Sequence, residues 1–136
     1  MIYDNREYIK SINQKSKEAF KVISVSDAKK RNLAILNTAK FIEKNKLAIL
    51  DANKIDLENA KEKKVSDAFL DRLLLNDKRI QDIINGLKQI AKIDDPLGVE
   101  MSRWKRPNGL DISRVSVPLG VIGIIYESRP NVTIDA

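Results

Sequence analysis

The stretch Val121-Ile122-Gly123-Ile124-Ile125-Tyr126 constrains this chain more than any other. It is apolar almost throughout, as a strand covered on both faces of a parallel sheet is. Such a strand needs a neighbour along its edges and helices above and below. The sequence stops ten residues later, at Ala136, and no other segment reads as a convincing parallel partner. The expectation is an α/β fold: an N-terminal helical layer followed by the first strands of a sheet, truncated before the sheet is complete.

Up to about Ile93 the periodicity is helical. A first helix runs from about Asn5 to Val22, with Tyr8, Ile12, Ala19 and Val22 on one side. Ser26 is a plausible N-cap for a second, which carries Ala28, Leu36, Ala39 and Ile42 near one face, with Leu33 and Ile35 beside them, and ends around Asn45. A third places Leu47, Leu50, Lys54 and Leu57 at three- and four-residue steps, flanked by Ala48, Ala52 and Ile55. Ser66 reads as the cap of a short turn into Leu73-Leu74-Leu75, and Asn76 as the cap of a last helix holding Ile80, Ile83, Ile84, Leu87 and Ile90. Gly86 inside that helix costs about 1 kcal/mol relative to Ala.

The punctuation then changes. Asp94-Asp95-Pro96-Leu97-Gly98 is a turn signal. Beyond Pro107-Asn108-Gly109, residues Leu110, Ile112, Val115 and Val117 partly alternate with polar ones, the mark of a half-buried strand. The chain divides into a helical part, 1–93, a turn and hairpin strand, 94–118, and the apolar strand with its following loop, 119–136.

Composition excludes several chemistries. With no Cys and no His, the chain itself holds no thiolate nucleophile, no zinc site of the usual kind and no His-based triad, and no disulfide points to secretion. No metal is expected. The opening residues, Met1 to Glu7, are polar and unlike a signal peptide, and nothing approaches the roughly 20 apolar residues of a membrane helix, so a cytoplasmic protein is expected. The net charge of +6 suits attraction to phosphate, but Lys and Glu alternate along the helices instead of forming a block, which favours a solvated surface. A basic helical nucleic-acid-binding domain, or a protein-interaction domain using its own edge strand, are the competing readings. The first predicts clustered Lys and Arg with aromatics between them, whereas aromatics make up only 5 % of the chain.

Ligands of open parallel sheets bind at the carboxyl ends of the strands. Tyr126-Glu127-Ser128-Arg129-Pro130-Asn131-Val132-Thr133 follows the apolar run directly and is dense in polar groups. It is either a binding loop or an ordinary turn with a helix cap. Gly120 and Gly123 suit close backbone approach or a tight turn. Trp104, between Arg103 and Lys105, reads as a packing anchor more readily than as a stacking platform.

The residues Arg106-Pro107-Asn108-Gly109-Leu110 and the run from Arg114 through Pro118-Leu119-Gly120 and Tyr126-Glu127-Ser128-Arg129-Pro130-Asn131 to Thr133 resemble the gamma-glutamyl phosphate reductase family. Ala52-Asn53-Lys54-Ile55-Asp56-Leu57 and Leu70-Asp71-Arg72-Leu73-Leu74-Leu75 are similar to stretches of its helical region. The resemblance covers nearly the whole chain and about the first third of a family member. It implies an aldehyde-dehydrogenase-like fold and NADPH-dependent reduction of L-glutamyl 5-phosphate to L-glutamate 5-semialdehyde and phosphate, in proline biosynthesis. In that chemistry a Cys thiolate attacks the acyl phosphate, and the Cys lies beyond the end of this sequence. The chain alone is therefore expected to be inactive and not to bind NADP(H) by itself.

By the same resemblance, Tyr126, Glu127 and Ser128 are the candidate cofactor wall and Asn131 the candidate oxyanion donor. The superfamily's Pro-Trp-Asn pattern is replaced here by Glu-Ser-Arg-Pro-Asn, which leaves the register of Asn131 open by a residue or two. Arg129 has two readings of equal standing, substrate anchor and structural ion pair. Asp135 reads as a helix-start or solvent charge. The segment Leu110 to Val117 resembles the family's oligomerisation hairpin, which implies a second copy of the chain as partner. A functional coupling to glutamate 5-kinase belongs to the same implication.

Overall fold

The computed structural model describes residues 5–136; Met1 to Asp4, which open the polar N-terminus, lie outside them. Within these residues the elements run α1 (Asn5–Ile23), α2 (Ala28–Lys44), α3 (Lys46–Glu62), α4 (Asp67–Leu73), α5 (Asp77–Ile90), β1 (Glu100–Lys105), β2 (Asp111–Val115) and α6 (Val132–Asp135). They fall into two compact units, one of residues up to 28 with 94–123, the other of 29–93 with 124–136.

The second unit holds the core. Ala39 of α2 and Ile80, Ile84 and Leu87 of α5 are buried together. Ile35 and Ile42 of α2, Ile49 and Leu50 of α3, and Ile134 of α6 pack against them. The three- and four-residue steps of these positions turn one stripe of each helix inward. Two caps start helices where the sequence places them. The Ser66 side chain accepts from Phe69 N–H at 3.3 Å, and the Asn76 side chain from Arg79 N–H at 2.8 Å, each satisfying a first-turn donor that has no partner inside its helix. Lys46 at the start of α3 pairs with Asp77 at the start of α5, and the ammonium holds that carboxyl below its ordinary pKa.

The Ser26 hydroxyl donates to the Ile23 carbonyl at 2.7 Å, which closes the end of α1 two residues before α2 starts at Ala28. On α3 the half-buried Leu50 and Leu57 lie on the inward side as expected, Leu47 is exposed, and the fully buried positions are Asn53 and Ala60. Asn53 faces inward because its amide serves backbone groups: Nδ2 donates to the Leu73 carbonyl at 2.8 Å and Oδ1 accepts from Leu75 N–H at 2.7 Å. A buried amide hydrogen-bonded at both ends escapes the desolvation cost of an unpaired one.

In the first unit, β1 and β2 form an antiparallel hairpin in which Trp104 faces Ile112 and Lys105 faces Asp111. A register irregularity lies between Glu100 and Ser102. The turn is closed by Arg106 N–H to the Leu110 carbonyl at 2.8 Å and Gly109 N–H to the Arg106 carbonyl at 2.9 Å. Gly109 sits at φ +87, a left-handed conformation that a side chain would disfavour. Arg103 grips Asp111 with two hydrogen bonds, Nε to Oδ1 at 2.9 Å and Nη2 to Oδ2 at 2.8 Å. At the open end Ser116 exchanges backbone hydrogen bonds with Gly98 and Val99 and donates its hydroxyl to the Pro96 carbonyl. β1 is the strand that the sequence reading missed, because Glu-Met-Ser-Arg-Trp-Lys shows no apolar alternation.

The expected buried strand over 121–125 is not formed among the described residues. Val121, Ile122, Ile124 and Ile125 are exposed, and the backbone there belongs to no sheet. A strand's hydrogen bonds are all made to a neighbour, so an apolar run can be suited to a sheet and still lie open where no neighbour is present.

Candidate functional site

The second unit contains a cavity of about 470 Å³. Its apolar lining comes from Leu75, Ile83, Leu87 and Ile90 of α5 and its approach, and from Ile134 of α6. Arg79, Asp82, Ile83, Gly86, Leu87 and Ile90 recur at helical spacing, so one face of α5 forms a continuous wall. The end of α4 adds Asp71 and Arg72, and the turn into α6 adds Arg129, Asn131 and Asp135. An apolar pocket with a few convergent polar groups is the common form of a small-molecule site.

Several of those polar groups are already committed. Arg79 Nη1 donates to the Leu74 carbonyl at 2.8 Å and to the Asp71 carbonyl, while Nη2 bonds Asp71 Oδ1 at 2.7 Å. This guanidinium fixes the α4–α5 connection. Asn131 Nδ2 donates to Asp135 Oδ2 at 2.9 Å, and the Asn131 carbonyl accepts from Ile134 N–H at 2.9 Å and Asp135 N–H at 3.0 Å. The Asn131 side chain is thus oriented by the first turn of α6. Arg72, Asp82 and Arg129 have no side-chain hydrogen bond or ion pair among the described residues.

The structure therefore brings two of the expected site residues, Arg129 and Asn131, to one cavity. Tyr126, Glu127 and Ser128 do not line it. The Tyr126 hydroxyl is 2.8 Å from Thr133 Oγ1, a contact that ties the loop back to α6. Ser128 adopts φ +55, a left-handed conformation that is uncommon for a residue with a side chain and marks where the chain reverses. Asp135 is more than a solvent charge, since it holds the Asn131 amide. Arg72, Asp82 and the α5 wall escaped sequence reading because about 40 residues or more separate them from the 129–135 turn. The only local signal was the similarity of the Leu70–Leu75 stretch to the reductase family. No group of acidic side chains able to hold a metal occurs among the described residues, and no helix is long and apolar enough to cross a membrane.

Solved structures that share this fold at high similarity include two of reductases. They are crystal structures of gamma-glutamyl phosphate reductase, one from Thermotoga maritima, with a TM-score of 0.85 and 44 % identity over 89 % of this chain, and one from Saccharomyces cerevisiae, with a TM-score of 0.86 and 30 % identity over 92 % of it. The matched parts make up 29 % and 32 % of those chains. Among curated relatives, gamma-glutamyl phosphate reductase of Clostridium tetani is 47 % identical over 98 % of this chain, and that of Moorella thermoacetica 51 % identical over 94 %. Searched against family models, the chain matches none. It is homologous over nearly all its length to gamma-glutamyl phosphate reductases, and it spans about 31 % of the length of these curated relatives.

Proposed function

We propose that the chain is the N-terminal portion of an NADP(H)-dependent reductase that converts L-glutamyl 5-phosphate to L-glutamate 5-semialdehyde and phosphate in proline biosynthesis in the cytoplasm. The observation that carries this reading is the agreement of sequence and fold, across nearly the whole chain, with reductases from bacteria and yeast. The reaction needs a thiolate to take the acyl group from phosphate, and this sequence has no cysteine, so the chain alone has no reductase activity.

In this reading the chain's own residues bind and orient. One Nδ2 hydrogen of Asn131 is held by Asp135, and the other is available to the oxygen that gains charge when the acyl carbon is attacked. A positioned donor of this kind contributes about 3 kcal/mol to the transition state. Arg129, with its planar fork uncommitted, pairs with the phosphate or carboxylate of the substrate. The cofactor supplies a hydride when bound. The exposed, sheet-free backbone before Tyr126, with the half-open ring of Tyr126 and the neighbouring Glu127 and Ser128, fits a wall beside that cofactor. No glycine-rich turn opens a helix among the described residues, so no residue here is assigned to the cofactor's diphosphate. The β1–β2 hairpin presents exposed edges suited to a second copy of the chain, and a functional coupling to glutamate 5-kinase belongs to the same reading.

The test is a chimera in which these 136 residues replace the aligned region of the Clostridium tetani relative. It is expected to restore growth without proline in cells lacking their own reductase, whereas the 136-residue chain alone is not. A chimera that folds and assembles but neither complements nor reduces would reject the proposal.

A further inference from the structure

The cavity of the second unit carries opposite charges on its helical wall that nothing in the fold uses. Asp82 projects from the α5 face that also presents Ile83, Gly86 and Leu87, and Arg72 lies in the last turn of α4. Neither has a side-chain partner among the described residues, although Asp71 and Arg79, a few residues away, pair with each other. On a helix surface, lone exposed charges are ordinary. Here they border an apolar cavity of about 470 Å³ whose other side is the Arg129–Asn131 turn.

We infer that this wall binds the amino-acid end of the substrate, with Asp82 accepting hydrogen bonds from the α-ammonium and Arg72 pairing with the α-carboxylate. The inference rests on the proposed reductase function and assigns the substrate's head group to residues outside the 126–131 loop. Three features of L-glutamyl 5-phosphate match the cavity. Its zwitterionic head meets one acid and one base, its methylenes meet Ile83, Leu87 and Ile134, and its acyl phosphate falls to the turn bearing Arg129 and Asn131. Arg79 is already held in place, with three of its five N–H donors on Asp71 and Leu74. The wall thus sets specificity for an α-amino acid over a plain aldehyde.

The experiment uses the chimera with the Clostridium tetani relative and runs the reaction in reverse, with NADP and phosphate, on three aldehydes. These are L-glutamate 5-semialdehyde, its desamino analogue 5-oxopentanoate, and 4-aminobutanal, which lacks the carboxylate. Asp82→Asn is expected to lower kcat/KM for the semialdehyde about 10- to 100-fold, the worth of a hydrogen bond to a charged group, and to leave 5-oxopentanoate within about threefold. Arg72→Gln is expected to do the same with 4-aminobutanal as the indifferent substrate. Equal losses on all three aldehydes, or none, overturn the inference and leave the reductase reading standing. A folded chimera inactive on every aldehyde rejects that reading instead. The inference is then decided on the 136-residue chain by nuclear magnetic resonance titration with L-glutamate and with glutarate. Shifts of the Gly86 and Asn131 amides by L-glutamate, weakened by Asp82→Asn while any response to glutarate is not, uphold it. No shifts at those amides overturn it.

Discussion

Asn53 on α3 holds Leu75, 22 residues away, by accepting its backbone N–H at 2.7 Å while donating to the Leu73 carbonyl at 2.8 Å. The Asn53 side chain is 4 % exposed, and the backbone groups it serves belong to the half-buried Leu73 and Leu75. Asn53→Ala is expected to destabilise the chain by about 1–3 kcal/mol, since it removes two hydrogen bonds and leaves a part-buried backbone donor and acceptor without them. Chemical denaturation measures this. A loss below about 0.5 kcal/mol would mean that the α4–α5 connection is held by Arg79 alone.

Gly86 offers the opposite sign. It lies inside α5, and a Cβ built there meets nothing within 4 Å. Gly86→Ala therefore gains helix propensity without a clash, and about 1 kcal/mol of added stability is expected. Thermal unfolding reads it as a higher Tm. A lower Tm would show that the cavity wall needs the glycine for packing.

The Arg103–Asp111 pair predicts a pH dependence. The guanidinium beside Asp111 holds its carboxyl below the ordinary value of 3.8. A carboxyl depressed in the folded state stabilises it above the unfolded value, and the contribution fades as pH falls through the lower folded value. The Asp111 carboxyl signal should accordingly titrate below 3.8, and Arg103→Gln should return it toward that figure. Both groups are exposed, so the effect on global stability is small. An Asp111 that titrates identically in both proteins would dismiss the pair.

Hydrogen exchange separates the two kinds of apolar sequence in the chain. Ile84 and Leu87 are buried in α5, and their amides should exchange slowly. The amides of Val121 to Ile125 belong to no helix or sheet and should exchange rapidly in the isolated chain. Concentration-independent protection at Val121 to Ile125 in a monomer would show that the segment finds its partner within these 136 residues.

Asn131 and Arg129 are distinguishable by kinetics in the chimera. Asn131→Ala should lower kcat by roughly 10²-fold or more, with a smaller effect on cofactor binding. Arg129→Ala should act mainly on KM for glutamyl phosphate. If kcat of Asn131→Ala stays within about threefold of wild type, Asn131 is not the oxyanion donor.

The helices and several of their ends are legible in the order of residues. Ile80, Ile84 and Leu87 repeat at helical steps, and Asn76 and Ser66 carry side chains that can cap only a nearby backbone N–H. The turn at Asn108-Gly109 was equally local, since only glycine readily accepts φ +87. The resemblance to the reductase family also lay in the order of residues alone. Features that depend on partners distant in the chain emerge only on folding. Asn53 is buried because Leu73 and Leu75 need its amide, and β1 exists because β2 pairs with its otherwise unpatterned residues. Arg72 and Asp82 share a cavity with Arg129 and Asn131 because Ile134 packs against the core that α5 builds. The same dependence explains the open run at 121–125. A helix makes its hydrogen bonds within itself, so its residues announce it, whereas a strand is completed by a neighbour that its own residues cannot supply.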